Sequence, residues 1–354
     1  MDISSLNQHI TGASLEAMAL AQQRWDGIAK PLGSLGLLEK VIVRLAGITG
    51  SADVFINKRA VLVLCADNGV VCEGVSQSGS EITRLVAENL TKKQTSVCRM
   101  AEAAHADVIP VDMGMAERYV SPLLLDRHIA DGTRNIAAGP AMTRAEALSA
   151  IEAGIDLVRL CRDQGYQIIA TGEMGIGNTT TSSAVASVLL QKPAAAVTGR
   201  GAGLSDEALA RKKAVIEKAL AVNNPDPSDA LDVLSKLGGF DIAGMTGIFL
   251  GGALYRMPII VDGIISAVSA LLAHRLCPKA VDAMVASHVS DEPAGKMLLE
   301  ALSLQPIIHG EMRLGEGTGA VALLPLLDLA LAVYHGSSSF SDIGMDAYTP
   351  QGGL

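Results

Sequence analysis

The stretch RAVLVLCAD, from Arg59 to Asp67, indicates the fold of this 354-residue chain. It is a short apolar, β-branched run that ends in the turn DNG, and Ser80 to Lys92 after it has helical spacing. At least five such strands alternate with helices, which predicts an α/β fold with a mostly parallel, doubly wound, Rossmann-like sheet. The other strands are predicted in ADVIPVDMG (106–114), YQIIATGEMG (166–175), MPIIVDG (257–263) and AVDAMVASHVS (280–290).

The composition agrees with a sheet that is covered on both faces. Hydrophobic residues make up 49% of the chain but aromatic residues only 3%, so the apolar mass is aliphatic, as in buried parallel strands. The net charge is −9 and no stretch concentrates Lys and Arg. We therefore do not expect a nucleic acid partner.

The cysteines and the apolar segments predict a cytoplasmic protein. The five cysteines are widely spaced and form no CxxC, so neither a disulfide framework nor a zinc site is indicated. The N-terminus MDISSLNQHITG lacks the pattern of a signal peptide. The apolar segments 257–273 and 321–334 contain Asp262, Pro325 and Asp328 and fall short of the roughly 20 apolar residues of a membrane span.

The glycine-rich stretch TGEMGIGNTT, Thr171 to Thr180, follows a predicted strand. Ligands of doubly wound sheets bind beyond the carboxyl ends of the strands, and a helix that begins at about Asn178 would direct its positive end at a phosphate. A tight turn capped by Asn178 and Thr179 is equally consistent with the sequence. A dehydrogenase is disfavoured, because the first strand is followed by DNG rather than by GxGxxG.

A second glycine cluster, TGRGAGLSDE, spans Thr198 to Glu207. Gly201 and Gly203 would suit another part of a phosphorylated ligand. The same residues also fit an ordinary helix start, with Lys212 and Lys213 in solvent, and the sequence alone favours this simpler interpretation.

The stretch MRLGEGTGA, Met312 to Ala320, carries a carboxylate on pliable backbone. Arg313 offers a planar fork for phosphate, and Glu316 lies between two glycines beside an apolar run. A surface turn that caps the next helix is the alternative. A partly desolvated carboxylate has a raised pKa, which suits a general base near neutral pH. No GxSxG, HxxxH or HExxH occurs, and His288 lies in VASHVSDEP, so we expect neither a hydrolase triad nor a catalytic metal.

Eight motifs in order resemble the nicotinate-nucleotide:dimethylbenzimidazole phosphoribosyltransferase family, which makes the lower-ligand nucleotide of cobalamin. The resemblance runs from about residue 15 to residue 335. It implies a parallel α/β domain (59–315), a small helical domain from the chain ends (1–58 and 316–354), and a homodimer. The motifs are KPLGSLGLLE (30–39), CADNGVVCEGVS (65–76), NIAAGPAM (135–142), GEMGIGNTT (172–180), DVLSKLGGFDIAGMTG (232–247), PIIVDGIIS (258–266), SHVS (287–290) and MRLGEGTGA (312–320).

The resemblance also implies the reaction and its residues. Phosphoribose would pass from nicotinate mononucleotide to an aromatic base, with Glu316 as general base, Glu173 as second carboxylate, and no cofactor or metal. The implied phosphate and ribose residues are Gly175, Asn178, Gly201, Ala202, Gly203, Lys212, Ser290, Arg313 and Gly315, and the implied base pocket is Ser78, Val86, Met174 and Leu314.

Two departures from the family pattern bear on the acceptor. Asn68 stands where many members have His, and Val86 stands where a Gln lines the pocket of the enterobacterial type. The leading interpretation is a benzimidazole acceptor, and the alternative is the same reaction with a phenol or purine. A chain that works as one subunit of a heterodimer also stays open. A non-catalytic partner subunit is disfavoured, because it would have no chemical need for Glu316, Glu173 and Arg313 together.

Overall fold

Six parallel strands form one sheet in this computed structural model, which describes residues 3–349. The spatial order β3-β2-β1-β4-β5-β6 reverses direction at β1, as in a doubly wound sheet. Every neighbouring pair is parallel, so the predicted fold class is confirmed. The strands are β1 (Arg59–Ala66), β2 (Asp107–Gly114), β3 (Leu125–Asp126), β4 (Ile168–Met174), β5 (Ile259–Val261) and β6 (Met284–Ala286).

Helices connect the strands and extend the chain at both ends. Those before β4 are α1 (Ile3–His9), α2 (Leu15–Gly27), α3 (Leu37–Thr49), α4 (Glu81–Thr91), α5 (Ser96–Ala103) and α6 (Arg144–Asp163). Those after β4 are α7 (Asn178–Leu189), α8 (Ala194–Val197), α9 (Asp206–Asn223), α10 (Ala230–Leu237), α11 (Phe240–Tyr255), α12 (Ile264–Leu276), α13 (Ala294–Ala301) and α14 (Thr318–Gly336).

Local sequence signals account for most of these bounds. The helix predicted over 145–162 is α6, where Thr143 and Glu146 form a reciprocal capping box. The predicted strands at 59–67 and 166–175 are β1 and β4. The sequence did not indicate β3, because it has only two residues and presents no alternation to recognise.

Two apolar clusters cover the two faces of the sheet. Leu62 and Leu64 of β1 pack into the first cluster with α6, α7 and α10 to α12. Val61 and Val63 point to the opposite face, where α2, α3, α5 and α14 supply the second cluster. Helices α2, α3 and α14 therefore pack together on one face, whereas Leu6 of α1 lies in the first cluster on the other face. The division into a domain at 59–315 and a smaller one from both ends stays a prediction.

Helix α14 is long and apolar enough to span a membrane by length and composition alone, but in this fold it is a core helix. Its side chains Val321, Leu324 and Leu327 lie in the second cluster. Asp328 on the same helix forms an ion pair with the buried side chain of Arg59. The burial explains the apolar sequence without a lipid environment.

Glycines let α6 and α11 approach closely on the first face. A Cβ atom built on Gly154 of α6 would lie 2.0 Å from the carbonyl oxygen of Gly244 and 2.9 Å from the Cα of Gly247. A Cβ on Gly247 would lie 2.0 Å from the carbonyl oxygen of Ile151. No side chain fits at this crossing unless the helices separate.

We expect Gly154→Ala to lower the free energy of unfolding by about 1 to 3 kcal/mol, because the added methyl group meets backbone rather than a movable side chain. Urea denaturation of both proteins measures the difference. Gly27→Ala in α2 is the control, since a Cβ there meets no atom within 4 Å. Equal stabilities of the two variants would contradict the close approach.

Candidate active site

The loops after β4, β5 and β6 and the segment before α14 enclose an open cavity of about 240 Å³. It lies at the carboxyl ends of the parallel strands, where the sequence predicted a ligand site. Its walls include residues 172–179, 200–202, 262–266 and 312–316. Glycine loops and carboxylates from distant parts of the sequence therefore meet in one cleft.

Glu316 lies in the wall of this cavity on a left-handed turn. Its φ is +59°, and its neighbours Gly315 and Gly317 have φ of +89° and +90°. A left-handed conformation is costly for a non-glycine residue, so the surrounding contacts must hold Glu316 in it. Its Oε2 atom is buried and accepts no hydrogen bond from the residues that the structure describes.

The end of β4 supports this turn from below. A Cβ atom on Gly172 would lie 2.4 Å from the carbonyl oxygen of Glu316, so only glycine allows the two backbones to touch. A Cβ on Gly315 would lie 2.5 Å from Oε1 of Glu173. The glycines beside both carboxylates therefore make room for the site.

Asp262, just after β5, holds the turn from the side. Its carboxylate accepts hydrogen bonds from the amides of Gly317 at 3.2 Å and Ala320 at 2.9 Å, in the first turn of α14. Burial raises the pKa of Asp262, while the neighbouring His288 and the two amides oppose the rise. Burial also lowers the pKa of His288, with Asp262 opposing.

Glu173 at the end of β4 is joined to Asp241 of α11 by one amide group. The Nδ2 atom of Asn178 donates to Oε2 of Glu173 and, at 2.9 Å, to Oδ2 of Asp241. Burial, with Asp241 next in effect, raises the pKa of Glu173 to about 8, and burial raises the pKa of Asp241 to about 6. The pair titrates in a range where most carboxyls are fully ionised.

The cavity floor is rich in carboxylates that form no ion pair with a Lys or Arg of the described residues. Burial raises the pKa of Glu316 as well, with Asp262 adding to the rise and the amide of Val97 opposing it. Among residues 3–349, no Lys or Arg forms an ion pair with Glu316, Glu173, Asp241 or Asp262. Such a floor attracts a positively charged group.

The other end of the cavity carries a buried cation. Lys212 of α9 has no exposed surface, and its Nζ atom donates to Oγ1 of Thr179 at 2.9 Å and to the carbonyl oxygen of Gly199 at 3.2 Å. Burial lowers the pKa of Lys212 to about 8, with Glu292 opposing. The amide of Gly201 donates to Oε1 of Glu292 at 2.9 Å.

The structure brings most of the predicted site residues to the cavity wall. These are Glu173, Met174, Gly175, Asn178, Gly201, Ala202, Ser290, Arg313, Leu314, Gly315 and Glu316. Lys212 lies behind the wall at Thr179, and Gly203 accepts a bond from Gln77 beside it. Ser78 is exposed and Val86 is half-buried on α4, and neither lines the cavity.

Three buried acids of the site were not among the predicted site residues. The rule for strand ends points to Asp262 as it does to Glu173, although the resemblance implied no role for Asp262. Glu292 follows the SHVS motif by two positions. Asp241 gave no usable signal, because it opens an otherwise apolar helix.

Comparisons with known proteins agree on one family. A phosphoribosyltransferase family model matches residues 10–345. A nicotinate-nucleotide–dimethylbenzimidazole phosphoribosyltransferase of Acetivibrio thermocellus is 48% identical over 336 residues, 95% of this chain and 96% of that protein. A protein of the same name from Clostridium acetobutylicum is 42% identical over 350 residues, 99% of each. The crystal structure of CobT from Thermus thermophilus covers 94% of this chain and 99% of its own, with 38% identity and a TM-score of 0.89.

The buried Lys212 predicts a specific pH dependence of stability. Its pKa in the folded protein is about 8 against an ordinary 10.5, so the unfolded chain binds this proton more tightly. Its contribution to the free energy of unfolding should therefore rise by up to about 3 kcal/mol between pH 8 and 10.5. Urea denaturation of the wild type and Lys212→Met across this range isolates the effect, because other groups cancel in the difference.

Lys213→Met is the control, since Lys213 is the partly exposed neighbour on the same helix. Its difference from the wild type should stay constant with pH. If the difference between the wild type and Lys212→Met were also constant with pH, Lys212 would not have a lowered pKa in the folded protein.

Proposed function

The chain belongs to the phosphoribosyltransferase family, and from this premise we propose that it transfers phosphoribose from nicotinate mononucleotide to 5,6-dimethylbenzimidazole. The products are α-ribazole 5′-phosphate and nicotinate, a step of cobalamin biosynthesis. The names of the relatives support these substrates. The buried, unpartnered Oε2 of Glu316 is the observation that carries the chemistry.

Glu316 acts as the general base. One ring nitrogen of the acceptor attacks the anomeric carbon as the bond from that carbon to the pyridinium nitrogen breaks. The ring N–H proton of the acceptor passes to Glu316, and nicotinate leaves with the electron pair of the broken bond. A carboxylate with one unpartnered oxygen, Oε2, and a raised pKa is suited to take this proton. Displacement in one step inverts the sugar carbon and gives the α product.

The buried cation marks the phosphate end of the cavity. Lys212, the backbone of residues 201–203 and the amides at the start of α7 form a positive surface for the 5′-phosphate. Gly175, Asn178, Ser290 and Gly315 also line the cavity, and we propose that they contact the phosphate and the ribose. Arg313 contributes after release from its exposed ion pair with Asp291.

The carboxylate floor faces the reacting carbon. A pyridinium ring carries a positive charge that moves onto the ribose as the bond breaks, and Glu173 stabilises it. Because Glu173 stabilises the positive charge on the ribose, the proposed reaction requires neither metal nor cofactor. Met174 and Leu314 offer apolar surface to the acceptor ring, with Ser78 and Val86 farther out. We further propose that the enzyme works in the cytoplasm as a homodimer.

An acceptor panel tests the assignment. The purified chain is incubated with nicotinate mononucleotide and either dimethylbenzimidazole, benzimidazole, adenine, phenol or p-cresol, and the products are identified by mass spectrometry. We expect an α-riboside phosphate from the benzimidazoles. If only phenols or adenine gave product, the assigned acceptor would be wrong but the reaction type would stay. If no acceptor gave product, the proposed function would be contradicted.

Glu316→Gln should fold normally and lose turnover by about 10² or more, because the amide cannot take the acceptor proton. Steady-state kinetics with dimethylbenzimidazole measure the loss, and denaturation verifies the fold. Glu311→Gln is the matched control, an exposed glutamate five positions earlier whose replacement should leave the rate unchanged. Turnover near that of the wild type in Glu316→Gln would refute the general-base role.

A further inference from the structure

One amide nitrogen joins two buried carboxylates beneath the cavity. The two hydrogens of Asn178 Nδ2 are directed at Glu173 and at Asp241, which lie on different elements. A Cβ atom on Gly175 would lie 2.9 Å from Oδ2 of Asp241 and 3.2 Å from Nδ2 of Asn178, so the group is closed on that side. Glu173 borders the cavity, whereas Asp241 does not.

The surroundings disfavour two negative charges on this pair. Glu173 faces Asp262 beside β5 and Glu316 before α14, both acidic. Asp241 faces Asp67 beyond β1. His288 is the basic group that interacts with Asp262, and burial lowers its pKa. Like charges in such a place cannot both be ionised cheaply, so one carboxyl keeps its proton.

We propose that Glu173 and Asp241 hold one proton between them in the ligand-free enzyme, and that the pyridinium cation of the donor displaces it to solvent on binding. Asp241 is then a positioning residue, because it does not border the cavity and acts on the charge of Glu173 by electrostatic repulsion, while the shared amide holds the two carboxylates close together. The inference rests on the proposed function, since that function supplies the cationic donor.

The sign of the pH effect follows from the raised pKa of Glu173, about 8. Below that pH the empty site holds the proton, and the donor must displace it to bind. Donor affinity should therefore increase by up to about tenfold per pH unit as the pH rises toward 8, and level off above it. Removal of the charge at Asp241 should lower the pKa of Glu173 and move the plateau to lower pH.

Titration calorimetry counts the released proton directly. Nicotinate mononucleotide is titrated into the enzyme at pH 7.5 without acceptor, in buffers of different ionisation enthalpy. A group with a pKa near 8 should release about three-quarters of a proton. Glu173→Gln should lose this release, and Asp241→Asn should release less than the wild type. The donor phosphate contributes equally in every variant, so the differences between variants report on the pair.

Asp112→Asn is the matched control. Asp112 is a buried carboxylate at the end of β2 that bonds the amides of Gly114 and Met115 and does not contact Asn178. Its replacement should leave the proton count at the value of the wild type. A change as large as that of Asp241→Asn would mean that any lost buried charge has this effect, and would overturn the specific role of Asp241.

Infrared difference spectra of the wild type provide a readout that requires no variant. The C=O stretch of a protonated carboxyl should disappear when the donor binds. Donor binding with an equal proton count in the wild type and Glu173→Gln, and no such infrared change, would overturn this inference alone. A chain that binds no nicotinate mononucleotide would contradict the proposed function together with the inference.

Discussion

The two hydrogen bonds from the amides of Gly317 and Ala320 to the carboxylate of Asp262 fix the geometry of the cavity. They join the end of β5 to the start of α14, two elements far apart in sequence. Without this joint, the left-handed turn at Glu316 would lack a fixed position relative to the sheet. The contact between Gly172 and the backbone of Glu316 then sets the height of the turn above β4. Strain at Glu316 is tolerated because two sides of the fold determine the same conformation.

Charges of opposite sign lie at the two ends of the cavity. Lys212 lies at one end, where the carboxylate of Glu292 accepts from the amide of Gly201, and the acids around Glu173 form the other end. A ligand with a phosphate at one end and a ring cation at the other matches this order. A donor that carried pyrophosphate on the anomeric carbon would place negative charge against the carboxylates. The charge distribution therefore favours a nucleotide with a cationic base over a pyrophosphate donor.

Local sequence predicted the parts of the site but not their arrangement. Hydrophobic periodicity located β1, β4 and most helices, and the rule for strand ends located Glu173. The glycines on both sides of Glu316 correctly indicated unusual backbone. No local pattern could show that Gly172 lies under Glu316, or that Asn178 reaches Asp241 of α11, because both contacts depend on the completed sheet. Lys212 looked like a solvated helix lysine and is fully buried.

The departure at Asn68 bears less on the acceptor than its position in the motif suggests. Its side chain is buried, donates to the carbonyl oxygen of Ile176 at 3.4 Å and accepts from Thr181 at 3.4 Å, so the protein itself uses it. Gly177 and Gly239 pack close to it, since Cβ atoms built on them would lie 3.2 Å from its Cβ and 2.6 Å from its Oδ1. Asn68 thus fits the packing under the turn that precedes α7. In the proposed mechanism the chemical demand on the acceptor comes instead from Glu316, because a general base needs an acidic N–H or O–H within reach of its unpartnered oxygen.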